Sequence, residues 1–302
     1  MPKLLTQFRS FYFRNQPDDI ETLIEYFAVF GGLDWDIDTS KQICTLIEEV
    51  ILHNYNKLNE KIDKLLLSQE NNKRLLHALA VGDRRIFSAF NKANLNNANG
   101  GSTLNFLQQK GLVTIEYSRE RPVKSPKKNT KLKREIARHR ISHKVLFTQP
   151  FIRFWFYFIL PHQREILKGD YKNLFKDVET KLNSYTSLVF EELSEILLNY
   201  HIRDTQIVSS GSYWDAKVEL DILTITQNDK IYVAECKWKN HKLNKKELHK
   251  IKEKCKILGI EPTQIIFFSK RGFSKELMNL QGKNLALYSS SDFKQLLKNP
   301  TV

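Results

Sequence analysis

Cysteine, acidic side chains and long apolar runs are all in short supply, and each shortage closes off a class of protein. The three cysteines, Cys44, Cys236 and Cys255, are odd in number, widely separated and in no metal-ligand spacing. That excludes a disulfide framework and reads as free thiols in a reducing cytoplasm. The longest apolar run, Phe154 to Leu160, is far too short to span a bilayer. The opening stretch MPKLLTQFRSFYFRN lacks the continuous apolar core of a signal peptide, so no membrane association is expected. No GxxxxGK(S/T) run is present, and ATP hydrolysis by this chain is not expected. Acids are outnumbered, 34 Asp and Glu against 48 Lys and Arg, for a net charge of +14 and a pI near 9.5. Such a balance calls for a polyanionic partner, with DNA the first candidate. What is there is ordinary for a globular chain with a sizeable core: 41% hydrophobic and 27% charged residues over 302 positions, enough for two or three domains.

The chemistry concentrates in residues 206–238. Val218 to Ile225 and Lys230 to Trp238 read as strands, and Gln227-Asn228-Asp229 is a turn-prone link that makes them an antiparallel hairpin. Side chains alternate along a strand. Glu235 and Lys237 therefore share one face, and Ala234, Cys236 and Trp238 the other. Asp221 on the neighbouring strand joins the first face. Two carboxylates and an ammonium in an apolar sheet are costly unless they pair or bind a cation. Their oxygens suit Mg²⁺ or Mn²⁺, and Mg²⁺ takes one or two protein carboxylates and keeps several waters. Lys237 is placed to orient an attacking water or to offset charge growing on a phosphate. Glu219, two residues before Asp221 on the same face, is a further candidate for this cluster. An amphipathic hairpin with a solvated charged face fits the same residues.

Taken in order, residues 1–69 form an N-terminal helical region. Asp18 with Glu21 and Thr39 with Gln42 have capping-box spacing, and Gly31-Gly32 ends the first helix. Apolar residues at three- and four-residue intervals predict one long amphipathic helix from Thr39 to about Leu67. Asp34, Asp36 and Asp38 read as helix-start acids rather than a metal site. In residues 70–148, two helices, an Asn/Gly-rich link (94–101), a third helix (102–110) ended by Gly111, and the strand Leu112–Tyr117 resemble a winged helix-turn-helix. The third helix of that fold commonly enters the major groove, which makes Ser102, Thr103 and Asn105 candidate base contacts; packing between domains is the other use of such a module. From Arg119 to Arg140, ten Lys and Arg stand against two Glu. Lys124, Lys127, Lys128, Lys131, Lys133 and Arg134 in this wing are candidate phosphate contacts. An aromatic segment (149–177) is expected to bridge the two halves, and residues 178–302 hold the hairpin.

Two resemblances follow from these residues. The spacing of Asp221, Glu235 and Lys237, D-x(13)-E-x-K, resembles the PD-(D/E)XK nuclease superfamily, with Leu220 where the motif's name puts proline. The run PFIRFWFYFILP, the Phe190-Glu191 pair, SGSYW at 210–214, ELD at 219–221 and ECKW at 235–238 resemble the domain of unknown function at the C-terminus of many archaeal-type ATPases. That likeness spans about residues 70–290 and lacks the ATPase module. It implies a winged helix joined to a restriction-endonuclease-like α-β-β-β-α-β domain, α/β (α+β overall) with a central mixed sheet. It also implies Glu191 as a third acid from the first helix of that domain. The expected activity is Mg²⁺-dependent DNA cleavage on double-stranded or branched DNA, with Asp221 and Glu235 holding the metal. The alternative is a DNA-binding regulatory or scaffolding protein on an inactive nuclease fold. A separate ATPase and a second copy of the chain are the candidate partners. Lys242, Lys245, Lys246, Lys250, Lys252, Lys254 and Lys256 are expected to give the helix at 244–259 a basic outer face.

Neutralising Lys127, Lys128, Lys131, Lys133 and Arg134 together should weaken DNA binding. Each lost phosphate contact should flatten the slope of log K against log salt by about 0.9. Anisotropy titrations at several salt concentrations check this, and an unchanged slope would mean a merely solvated segment.

Overall fold

The computed structural model describes residues 3–120 and 141–298. Lys124, Lys127, Lys128, Lys131, Lys133 and Arg134 lie outside the described residues. Helix α1 (Lys3–Asn15) buries Leu5, Phe8 and Phe11. Helix α2 (Ile20–Phe30) is capped by Asp19, whose carboxylate accepts from the Glu21 and Thr22 amides; the cap is one residue later than expected. The expected long helix over 39–67 is broken into three. Helix α3 (Ile43–Leu46) runs into a π-helical turn (Ile47–Leu52), and α4 (Tyr55–Leu65) starts afresh. The cause is the five-residue repeat of Leu46-Ile47 and Ile51-Leu52, all buried, which a π turn places on one side. Asn54 then accommodates the break by donating to the Val50 carbonyl at 3.1 Å.

Residues 70–148, called the winged unit after their expected fold, run α5 (Glu70–Val81), α6 (Ile86–Lys92), α7 (Asn97–Gln109), then β1 (Val113–Glu116) antiparallel to β2 (Lys144–Phe147). Arg85 bridges Lys144 and so adds one residue of a third edge. Helix α7 begins five residues earlier than expected, because the Asn96 side chain caps it through the Asn99 amide. Thr103 is a correction: only 7% exposed, it faces the core beside Leu104 and Leu107 and cannot touch a base. Ser102 and Asn105 do face outward.

The aromatic segment is helical throughout, as α8 (Pro150–Phe154), a π turn (Trp155–Ile159), a 3₁₀ turn (Leu160–His162) and α9 (Gln163–Ile166). Phe151, Phe154, Trp155, Phe156 and Phe158 are all buried, and each such side chain contributes about 1.5–3 kcal/mol. The segment packs against α2, α5 and the helix of residues 172–201.

Helix α10 (Lys172–His201) then leads to β3 (Ile207–Ser209), the small hairpin β4 (Tyr213–Trp214) and β5 (Glu219–Leu220), and β6 (Ile222–Thr226) with β7 (Ile231–Lys237). Helix α11 (Lys245–Leu258), β8 (Gln264–Ser269), α12 (Lys275–Met278), β9 (Leu285–Ser289) and a 3₁₀ turn (Ser290–Leu297) complete the described chain. The five-stranded sheet has the order β3-β6-β7-β8-β9, antiparallel as far as β7 and parallel beyond it. Ala234, Cys236 and Trp238 on one face share a core with Phe190, Leu193 and Leu197 of α10. On the other face Val233, Ile265 and Phe267 meet Leu248, Ile251 and Cys255 of α11. The result is a mixed α/β fold with a helical N-terminal region and a central mixed sheet.

Two neighbouring glycines in α7 make opposite forecasts. A Cβ on Gly100 would lie 2.6 Å from the Phe90 ring, whereas one on Gly101 meets nothing within 4 Å. Gly101→Ala should stabilise by about 0.5–1 kcal/mol through helix propensity. Gly100→Ala should instead destabilise by about 1 kcal/mol or more, since overpacking outweighs propensity. Urea unfolding of both variants checks the sign.

Candidate active site

The expected strand over 218–225 bends at Asp221. Residues Glu219–Leu220 pair with β4, while Ile222–Thr226 pair with β3 and β7. The bend releases Asp221 from the ladder, and its Oδ2 accepts the Cys236 backbone amide at 2.7 Å. The β6–β7 register ends at Ile222 opposite Ala234. One residue earlier, Asp221 lies beside Glu235, both within ion-pair reach of Lys237.

Lys237 Nζ donates to Glu235 Oε1 at 2.5 Å and lies 3.6 Å from Asp221 Oδ2. Both carboxylates thus share one ammonium, as the alternation of β7 requires. Lys254, on α11, donates to Glu235 Oε2 at 2.8 Å. The expected basic outer face of α11 therefore lacks one member: Lys245, Lys246, Lys250, Lys252 and Lys256 are exposed, but Lys254 turns inward. A spacing signal existed. Lys254 lies three residues after buried Ile251 and next to buried Cys255, on the flank of the apolar stripe.

Glu191, on α10, is near enough to the cluster to feel the charges of Asp221 and Lys237. Burial first, and then the Asp221 carboxylate, push Glu191 up to about 8. Burial and Glu235 likewise raise Asp221. Burial opposes the ionisation of Glu235, yet Lys237 and Lys254 hold it below the usual carboxylate range. Lys237 is raised despite its burial, because Asp221 and Glu235 surround it; it stays an ammonium. Glu192, next to Glu191, is pushed up to about 7, chiefly by burial.

Glu219 is a correction. The bend at Asp221 ends the shared face, and Glu219 pairs instead with Lys144 at 2.6 Å and Arg85 at 3.6 Å, about half exposed. The SGSYW motif also acquires a structural role. Arg119, at the end of the winged unit, donates to the Gly211, Ser212 and Leu223 carbonyls at 2.8, 3.0 and 2.9 Å. Glu116 in return accepts the Ser212 amide and hydroxyl at 2.7 and 2.8 Å. Trp214 Nε1 donates to the Ser142 carbonyl at 2.9 Å. These contacts fasten the winged unit to the sheet beside Asp221.

Among the described residues no group of three or more His, Cys, Asp and Glu that could hold a metal ion is present. A cation here would rely on Asp221 and Glu235 together with water, the pattern of Mg²⁺ rather than Ca²⁺. Glu235 would exchange an ammonium contact for the ion.

Residues 155–251 match the DUF234 family, described as archaeal and bacterial proteins of unknown function. The matched stretch carries Glu191, Asp221, Glu235 and Lys237 and stops short of Lys254. No curated protein matches the chain at a significant level. Among solved structures, protein VC1899 from Vibrio cholerae is similar at 14% identity and a TM-score of 0.30 over 80% of this chain. The chain spans 53% of that protein's length. Among the described residues, no helix is long and apolar enough to cross a membrane.

A carboxyl raised in the folded state keeps a proton that the unfolded chain releases. Glu191 should therefore cost stability as pH rises from its ordinary value near 4.5 through about 8. Glu191→Gln, neutral at every pH, removes that cost. With a chelator present, its thermal midpoint should exceed wild type above pH 8, by about 2–4 °C per kcal/mol relieved, and match it near pH 4.5. Calorimetric scans across pH check this; parallel pH profiles would place Glu191 in solvent.

Proposed function

We propose that the chain is a Mg²⁺- or Mn²⁺-dependent DNA nuclease of the PD-(D/E)XK kind, hydrolysing phosphodiester bonds at the β6–β7 cluster. The observation that carries this is the meeting of Asp221, Glu235 and Lys237 at one buried point, in the order and spacing of that superfamily. Asp221 and Glu235 would hold the ion. When bound, it supplies Lewis acidity toward a phosphate oxygen and activation of water.

The chain's own groups set the rest. Lys237 remains protonated, so it is not a base; it offers fixed positive charge where a phosphate gains negative charge. The Cys236 amide holds Asp221 in place. Glu191 borders the pair as a third acid. The neutral exposed face of α7, with Ser102 and Asn105, suits base edges, and the basic segment after Arg119 suits phosphates. Cytoplasmic location, a partner ATPase and a homodimer belong to the same proposal.

A second reading, a DNA-binding scaffold without catalysis, draws on one observation. Both oxygens of Glu235 are already held by ammonium groups, from Lys237 and Lys254. The ion would have to displace one of them.

Mutants separate the two. Asp221→Ala or Glu235→Ala should abolish Mg²⁺-dependent DNA cleavage and leave DNA binding nearly intact; cleavage at the wild-type rate by either would sink the site. Lys237→Ala should slow turnover by about 10²–10³ with metal affinity unchanged or slightly higher by calorimetry. Lys237→Arg should rescue only in part, because a broad planar group replaces a compact one. Equal rates for Lys237→Ala and wild type at saturating Mg²⁺ would remove Lys237 from the mechanism.

A further inference from the structure

Behind Glu191 the winged unit and α10 line an open cavity of about 460 Å³. Its wall carries Arg84 and Arg85 from the α5–α6 turn, Lys144 from β2 and Arg153 from α8, beside Glu191 and Glu219. Two of these cations are already used: Lys144 pairs with Glu219 and lies 4.4 Å over the Trp214 ring, and Arg85 reaches Glu219. Arg84 is not, and among the described residues Arg153 is engaged by Tyr185 alone, with its guanidinium 4.1 Å over that ring. Arg84 makes no side-chain hydrogen bond or ion pair among the described residues. Arg153 is 8% exposed, and its Nε has no hydrogen-bond partner. Its Nη1 donates to the Tyr185 carbonyl, which fixes the guanidinium against the cavity wall. A buried orphan donor of this kind calls for an acceptor that arrives with a ligand.

The backbone at Arg84 adds an independent sign. Its φ is +64°, a left-handed conformation that glycine adopts freely and a bulky side chain does not. The neighbouring bonds hold it there: the Arg84 carbonyl accepts the Val145 amide at 2.9 Å, and Asp83 accepts the Arg85 amide. Backbone strain at a residue whose guanidinium makes no direct hydrogen bond or ion pair among the described residues is the pattern of a residue kept for a ligand. Arg84 also sits near enough to Glu191 and Glu192 to oppose the rise that burial gives both carboxyls.

We propose that this cavity is a phosphate subsite, in which Arg84 and Arg153 bind a backbone phosphate of the DNA strand whose neighbouring diester lies at Asp221 and Glu235. This rests on the nuclease reading for the strand's path, but the binding itself does not need cleavage. Two guanidinium groups present the fork geometry that phosphate oxygens match. The site is composite: Arg84 belongs to the winged unit, Arg153 to the bridge and Glu191 to the helix beneath the sheet. A strand seated there would touch both halves of the molecule at once.

The test uses the full chain in a metal chelator, with a fluorescein-labelled duplex as probe and anisotropy as readout. Arg84→Gly is the informative variant, because glycine suits the left-handed backbone. It should keep or raise the thermal midpoint while weakening DNA binding roughly tenfold and flattening the salt slope by about 0.9. Arg84→Lys should keep the slope and recover only part of the affinity. Unchanged affinity and slope in Arg84→Gly overturns the subsite. So does an equal fall in affinity and thermal midpoint, which would make Arg84 structural, and so does a wild type that binds no DNA. Cleavage assays with Mg²⁺ separate this from the nuclease reading. A wild type that never cleaves, with Arg84→Gly still binding weakly, keeps the subsite and rejects the nuclease. A wild type that cleaves, with Arg84→Gly its equal in binding and rate, does the reverse.

Discussion

The molecule depends on how Arg119 is satisfied. A guanidinium carried into a domain junction must find acceptors or its burial costs several kcal/mol. Arg119 finds the carbonyls of Gly211, Ser212 and Leu223, which belong to the turn between β3 and β4 and to β6. Glu116, on the adjoining strand, binds the same turn through Ser212. The end of the winged unit is thereby locked to the sheet two residues from Asp221. That lock acts with the Trp214–Ser142 bond and the Lys144–Glu219 pair to hold the α5–α6 turn beside Glu191.

Charge burial at the end of β7 sets the second constraint. A buried ion pair is weak evidence for stability, since desolvation offsets most of the Coulombic gain. Here two ammonium groups serve one carboxylate, with Asp221 close by. Three or four apolar side chains would fill that space with less expense of free energy. The cost of retaining charges there supports a use for them, and a nearby polyanion or divalent cation is the simplest one. Glu191 sharpens the point, because burial and Asp221 raise its carboxyl to about 8, and positive charge arriving nearby would favour its anion.

What the sequence made legible follows from which distances are local. Glu235 and Lys237 share a strand, so a period of two places them together, and a three-residue turn sets Asp221 opposite. The caps of α11 at Asn244 and Gly259 are equally local and were readable. Thr103 was misplaced because the Asn/Gly-rich link was read as a loop. Once Asn96 starts the helix, the buried stripe is Gly100, Thr103, Leu104 and Leu107. Glu219 was misplaced because a strand was assumed straight, and the switch from one sheet to another at Asp221 is a tertiary fact. Lys254 and Arg84 lie far from the motif in sequence, and only the docking of α11 and of the winged unit brings them near.

Helix α10 links these features mechanically. Over its 30 residues it meets the bridge, the sheet and the cavity in turn. Tyr185 donates toward the Ala28 and Pro150 carbonyls at 3.3 Å, and its own carbonyl holds Arg153. One and a half turns on, Phe190 packs against Trp238 and Phe293, each with ring centroids 4.9 Å apart. Glu191 follows directly, within electrostatic reach of Asp221. A single rigid element thus fixes the spacing between the cation from α8 and the carboxylates of the sheet. Close-packed interiors do not deform by small amounts without cost, so a ligand that draws Arg153 toward it acts on Glu191 through six residues of continuous helix. The helix thus carries Glu191 beside the cavity and within electrostatic reach of Asp221.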